Sequence, residues 1–166
     1  IENSIRISVF HLPSEVNNTE IHDIPKNLNH WNSNENCSIK STGSGTIYCG
    51  DILRFFDYDF NDKNTIIVVQ CKQLGDDKVV KKIYEIDYNR ECHKLLFGDL
   101  TREVIEEYVN NIKSIPKQLK SKEALKVFDY KKAKTMLKKS YPHVITIHPK
   151  IKRKQKRVQC SISNIG

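Results

Sequence analysis

The sequence predicts an α+β fold: an antiparallel, barrel-like β-meander followed by two helices and a basic β-hairpin. Three observations carry this. From Ile47 to Tyr88, runs of β-branched and aromatic residues alternate with turn residues. From Thr101 the apolar period lengthens to that of helices. Between Lys113 and Arg157 lie sixteen Lys or Arg and two acids, Glu123 and Asp129, a balance of 16 − 2 = +14. The whole chain carries +8, so the remainder sums to 8 − 14 = −6. The expected organisation is an acidic, β-rich body over 1–98 with a long N-terminal loop, and a basic helical and hairpin part over 99–166 packed on it.

Along the body, Ile5-Arg6-Ile7-Ser8-Val9 alternates and reads as a strand. Asn, Ser and His dominate after Pro13, and 27–45 reads as a loop with Gly43-Ser44-Gly45 as a hinge. Three strands are then expected: Ile52 to Phe60, Thr65 to Leu74 after the turn Asn61-Asp62-Lys63-Asn64, and Val79 to Tyr88 after Gly75-Asp76-Asp77. Thr65-Ile66-Ile67-Val68-Val69 is apolar on both faces, which places the middle strand centrally. Residues 88–97 offer one short helix.

In the basic part, Thr101 suits an N-cap. Val104, Ile105, Tyr108, Val109, Ile112 and Ile115 form one stripe before Pro116. A second helix is expected from Ser121 to just before Pro142, with Ala124, Leu125, Phe128, Met136 and Leu137 inward and a lysine face outward. Strands follow at 143–148 and 158–162, joined by the run Lys150 to Arg157. Helix, basic helix, strand, basic loop and strand together resemble a winged helix, which implies a helix in a groove and a loop gripping phosphates.

Composition bounds the function. A polyanion partner follows from the charge division, because cations that neutralise phosphates release condensed counterions. No stretch of about eighteen apolar residues is present, and the only Trp, Trp31, lies far from the basic segment, so neither a spanning nor a surface-bound membrane helix is expected. Cys37, Cys49, Cys71, Cys92 and Cys160 are odd in number and lack a CxxC pair, which disfavours disulfides and a zinc ribbon and points to a reducing, intracellular setting. The sequons Asn17-Asn18-Thr19 and Asn36-Cys37-Ser38 read as chance matches there. A start at Ile1 suggests a module of a longer protein. Walker, Gly-x-Ser-x-Gly and His-Glu-x-x-His motifs are missing from the chain.

One constellation carries enzyme chemistry. Pairing Phe60 with Thr65 in an antiparallel hairpin would set Lys72 opposite Leu53 and Gln70 opposite Phe55, putting Asp51, Gln70 and Lys72 on one face. A carboxylate opening one strand and Val69-Gln70-Cys71-Lys72 ending the next resemble the Mrr-type restriction-endonuclease-like nucleases. The resemblance implies that Asp51 and Gln70 ligate Mg²⁺ and Lys72 positions or activates water. The segment departs from that pattern in Tyr48-Cys49-Gly50-Asp51-Ile52-Leu53 and in the strand that follows the lysine. Gly50-Asp51-Ile52-Leu53 entering a meander also resembles the bromo-adjacent-homology and SH3-like chromatin barrels, which implies a non-enzymatic chromatin module. Phe55, Phe56, Tyr58 and Phe60 would then form either a methyl-lysine cage or the core.

The sequence thus favours a non-enzymatic module, DNA- or chromatin-associated and nuclear or nucleoid in location, that grips phosphates through Lys131, Lys134, Lys138, Lys152, Arg153, Lys154, Lys156 and Arg157. Expected partners are DNA or RNA, with histone or other chromatin proteins on the acidic body. Lysine dominance favours positioning contacts over base reading. The alternatives are a Mg²⁺-dependent nuclease and a scaffold for an acidic protein. No metal site has zinc-ligand spacing, and no cofactor is expected outside the nuclease alternative.

Overall fold

The structure is a computed structural model that describes residues 1–13, 22–152 and 154–163. In chain order the described elements are α1 (Glu2–Ser8), β1 (Glu35–Thr42), β2 (Ile47–Asp51), α2 (Ile52–Phe56), β3 (Lys63–Leu74), β4 (Asp77–Asp87), α3 (Arg90–Phe97), α4 (Arg102–Lys113), α5 (Ser121–Val127), α6 (Tyr130–Ser140), β5 (Thr146–Lys150) and β6 (Arg157–Ile162). The class is α+β. Among the described residues the strands form two three-stranded sheets, β1-β3-β4 and β2-β6-β5, so the expected barrel is not closed. No helix among them is long and apolar enough to cross a membrane.

The chain separates into two compact units. The first contains 1–47 and 59–90, the second 48–58 and 91–163. Nine Lys and Arg against eleven acids give the first unit −2, if the three C-terminal uncharged residues are counted with it; nineteen against nine give the second +10.

In the first unit, β3 is central as its two-sided apolarity predicts. It pairs in parallel with β1 (Ile39 beside Ile67) and antiparallel with β4 (Val68 beside Tyr84). The strand β1 falls in the expected loop. Cys37 and Ile39 alternate with polar neighbours there, and both join a core cluster with Phe10 and Ile24. That short signal is diluted by Asn and Ser, and a parallel partner twenty-eight residues away supplies the ladder that local propensity does not (Glu35 beside Lys63). The expected strand at Ile5–Val9 is instead α1. Its alternation misleads because Arg6, not Ile7 or Val9, turns inward: Nε donates to the Pro13 carbonyl at 3.0 Å and Nη1 to that of Asp23.

Ile52–Phe60, expected as a strand, does not form one. Its first five residues are the helix α2, because Asp51 is an N-cap whose carboxylate accepts from the Arg54 N–H at 3.0 Å. Ile52 and Phe55 are then buried on one side. A strand here would have needed Phe60 beside Thr65; Thr65 lies instead between Cys37 and Asp87.

The helical expectations for the second unit fare better. In α4, Thr101 accepts from the Val104 N–H at 3.3 Å, and Ile105, Tyr108, Val109, Ile112 and Ile115 are buried. Residues 90–97 form α3, closed by Gly98 at φ +55, whose N–H donates to Lys94 O at 2.8 Å. The single helix expected from Ser121 breaks at Phe128-Asp129. There Asp129 caps α6 by accepting from the Lys132 N–H at 3.1 Å, and Met136 turns outward at 51% exposure instead of inward. The break is legible afterwards as an Asp three residues before a helical position, hidden by the continuous lysine spacing.

Candidate nucleic-acid interface

The hairpin β5–β6 positions most of the site. Its register sets Ile147 opposite Cys160, His148 opposite Gln159 and Lys150 opposite Arg157. Opposed residues in an antiparallel pair share a face, and alternate residues switch faces. Ile147 and Cys160 are therefore on the buried face together with Val158, while His148, Gln159, Lys150 and Arg157 share the other, which is half-open. Tyr48 of β2 brings its ring to 5.5 Å from that of His148, and is itself 56% exposed. An aromatic ring beside cations on an open sheet face is the arrangement that stacks a base while phosphates are neutralised.

Helix α6 adds a second run of charge. Lys131 and Lys138 are exposed and Lys134 is half-buried, while Tyr130 packs inward, its carbonyl accepting from the Tyr108 hydroxyl at 3.0 Å. The field of these lysines is felt by two histidines. Burial, then Lys134 and Lys150, hold His148 below its ordinary value, and its Nε2 lies 2.6 Å from the Ser161 hydroxyl. Burial lowers His143 most, with Lys138 and Lys134 adding to the effect and a hydrogen bond to the Tyr141 carbonyl opposing it. Lys134 and Lys150 therefore act on the same place, although they are sixteen residues apart.

The predicted phosphate ligands do not form one class. Lys152 and Lys154 are exposed, and Arg153 lies outside the described residues. Lys156 is the exception: it is buried at 4% exposure, and its ammonium donates to the carbonyls of Lys117 at 3.1 Å, Leu119 at 2.7 Å and Ile151 at 2.7 Å. All three N–H groups are engaged, so Lys156 holds the hairpin loop against the chain after α4 and has no donor for a phosphate. Its inward direction is not legible in the sequence, because the five other cations from Lys150 to Arg157 give no periodicity from which to pick the inward one.

A cavity of about 430 Å³ opens beside the hairpin, lined among others by Ser121, Tyr130, Lys150, Lys152, Arg157 and Gln159. Like charges directly opposite in a strand pair are unfavourable, and Lys150 and Arg157 are so placed. The Nε of Arg157 is buried with no partner among the described residues, an omission that costs on the order of 1–3 kcal/mol. Lys150, Ser121, Tyr130 and Gln159 were not singled out from sequence. For Lys150 the signal was its place opposite Arg157 across a short loop; for the others nothing local announced it.

The nuclease constellation is differently placed. Asp51 caps α2 in the second unit, while Gln70 and Lys72 are on β3 in the first. Gln70 pairs with Thr42 and Lys82 and precedes a bulge, and Lys72 is exposed beside Val79. The hairpin register that assembled the three is not formed. No three His, Cys, Asp or Glu side chains among the described residues converge as a cation site. Phe55, Phe56 and Tyr58 pack inward, with Phe55 5.6 Å from Tyr58 and Phe56 4.9 Å from Phe97, and Phe60 lies 5.9 Å from Tyr88. All five cysteines are free thiols.

No family model, curated protein or solved structure matches the chain.

Proposed function

We propose that the chain is a nucleic-acid-binding module whose second unit grips phosphates with α6 and the β5–β6 hairpin. The observation that carries this is the sheet order β2-β6-β5 with the lysine-faced α6 directly before the basic hairpin. An early strand, β2, is neighbour to the last one; within the second unit, α2 to α6 and then β5 lie between them, while β3 and β4 of the same interval belong to the first unit. That is the order of a winged helix, and here it coincides with the unit carrying +10. Lys131, Lys138, Lys152 and Lys154 give exposed positive charge, Lys134 and Lys150 concentrate it near His148, and Tyr48 offers a stacking ring. With lysine far in excess of arginine, the contacts are positioning contacts, so little base preference is expected. DNA or RNA in a nucleus or nucleoid is the natural setting for such a module.

The test is fluorescence anisotropy with labelled duplex and single-stranded DNA and RNA across a salt series. Four to six neutralised phosphates would give a slope of log K against log salt of about −4 to −5 on duplex DNA. Lys131→Gln with Lys138→Gln should flatten it by about 1 to 2. No binding at low salt to any of these nucleic acids would sink the proposal.

A further inference from the structure

We propose that the cavity beside the β5–β6 hairpin is a pocket for a phosphomonoester, the terminal phosphate of a nucleotide. It rests on the nucleic-acid reading for its setting, yet its chemistry is local. Lys150, Lys152 and Arg157 line one cavity, and no carboxylate is among its lining residues. None of the three takes part in an ion pair among the described residues. Their charge is therefore uncompensated, and two of them are held opposite each other by the strand register. A protein surface would ordinarily relieve such a pair by splaying the side chains into water. Here Arg157 is half-buried; its Nε is sealed from solvent, so the part of the guanidinium open to a ligand is its pair of terminal amino groups. A guanidinium fork pairs in the plane with two phosphate oxygens, and the lysines add point charges.

Charge and size select the kind of phosphate. A phosphomonoester carries about −1.5 to −2 near pH 7, against −1 for each internal diester, so three cations around one cavity suit the terminal group better. About 430 Å³ falls within the range of small-molecule sites and exceeds what a phosphate alone needs. Tyr130 and Gln159 in the wall give the attached sugar and base an aromatic surface and an amide, and Ser121 gives a hydroxyl. The phosphate arrives either on a strand end or on a free nucleotide; the chemistry is shared.

The experiment compares one single-stranded oligonucleotide with a 5′-phosphate, a 3′-phosphate or two hydroxyl ends, together with AMP and inorganic phosphate, using anisotropy and calorimetry. The expected result is at least about tenfold tighter binding of one phosphorylated end than of the hydroxyl-ended strand. Arg157→Gln and Lys150→Gln should abolish that preference, whereas Lys138→Gln weakens all the strands alike. Binding of AMP without any oligonucleotide binding would support the pocket, assign it to free nucleotides, and remove the nucleic-acid reading. Equal affinity for phosphorylated and hydroxyl ends with no AMP binding overturns the pocket and leaves that reading intact. The comparison of ends is made on the native protein, so a variant that folds poorly does not decide it.

Discussion

Replacing Lys156 by methionine separates a structural lysine from a phosphate-binding one. The ammonium donates to three carbonyls, those of Lys117, Leu119 and Ile151, and the residue is 4% exposed. Hydrogen bonds from a charged donor contribute about 1.5–3 kcal/mol each, so three independent ones would total roughly 4–9 kcal/mol. Burying the ammonium offsets several kcal/mol of that. Methionine removes the buried charge along with the bonds and retains most of the packing volume, but leaves three carbonyls without a donor. A net destabilisation of about 3 kcal/mol is expected. With a urea m-value of about 2–3 kcal/mol/M, the midpoint followed by circular dichroism should fall by about 1–1.5 M. Under native conditions the same variant should keep the salt slope of nucleic-acid binding, because no phosphate contact is lost. A midpoint shift under about 0.3 M with a slope flatter by about one would refute the reasoning and return Lys156 to the phosphate set.

Three further outcomes follow from the geometry. Gly98→Ala should destabilise by roughly 2–4 kcal/mol, measured by the same denaturation: φ is +55, and a Cβ would lie 3.1 Å from His143 Cα and closer still to the Pro142 carbonyl oxygen. His93, His143 and His148 all sit below their ordinary value of 6.5, chiefly through burial, so the unfolded chain takes up protons first as pH falls. Their contribution to stability is complete above about pH 7 and is lost on acidification below 6.5, which a midpoint-against-pH series reads as a decline on the acid side. Lys150→Gln should raise the thermal midpoint of the ligand-free protein by a few degrees, since it removes a like charge facing Arg157 worth up to about 1 kcal/mol; an unchanged or lower midpoint would show that the two cations do not repel.

The sequence disclosed those elements whose apolar pattern is long enough to average over context. Helix α4 has four buried positions at helical spacing and a capping Thr101, and β3 has an apolar run that admits only a central place. Short segments were decided by single side chains instead. Arg6 turning inward makes α1 a helix where Ile5, Ile7 and Val9 alternate, and the Asp51 cap turns Ile52–Phe56 into α2. Parallel pairing is the least local signal: β1 depends on β3, and nothing within Glu35–Thr42 announces the partner. For the candidate site, the sequence located the charge but not its direction. Lys131, Lys138, Lys152 and Lys154 are outward as expected, and Lys156 is not.

That difference is what gives the hairpin its logic. A run of cations between two strands would tend to fray, because Lys150 and Arg157 repel where the strands should close. The inward Lys156 opposes this by fastening the loop to the carbonyls of Lys117 and Leu119, outside the hairpin altogether. One lysine of the run thus stabilises a geometry that its neighbours destabilise. No described carboxylate pairs with those neighbours, so the proposed pocket assigns their relief to a bound anion. On the proposed reading, an anion that binds only the closed hairpin would shift stability by RT ln(1 + [L]/Kd), and relief of the unfavourable charge would add to its affinity. Lysine-rich composition alone does not separate these roles: the fold engages the Lys156 ammonium with three carbonyls and leaves Lys150 and Arg157 without an ion pair among the described residues.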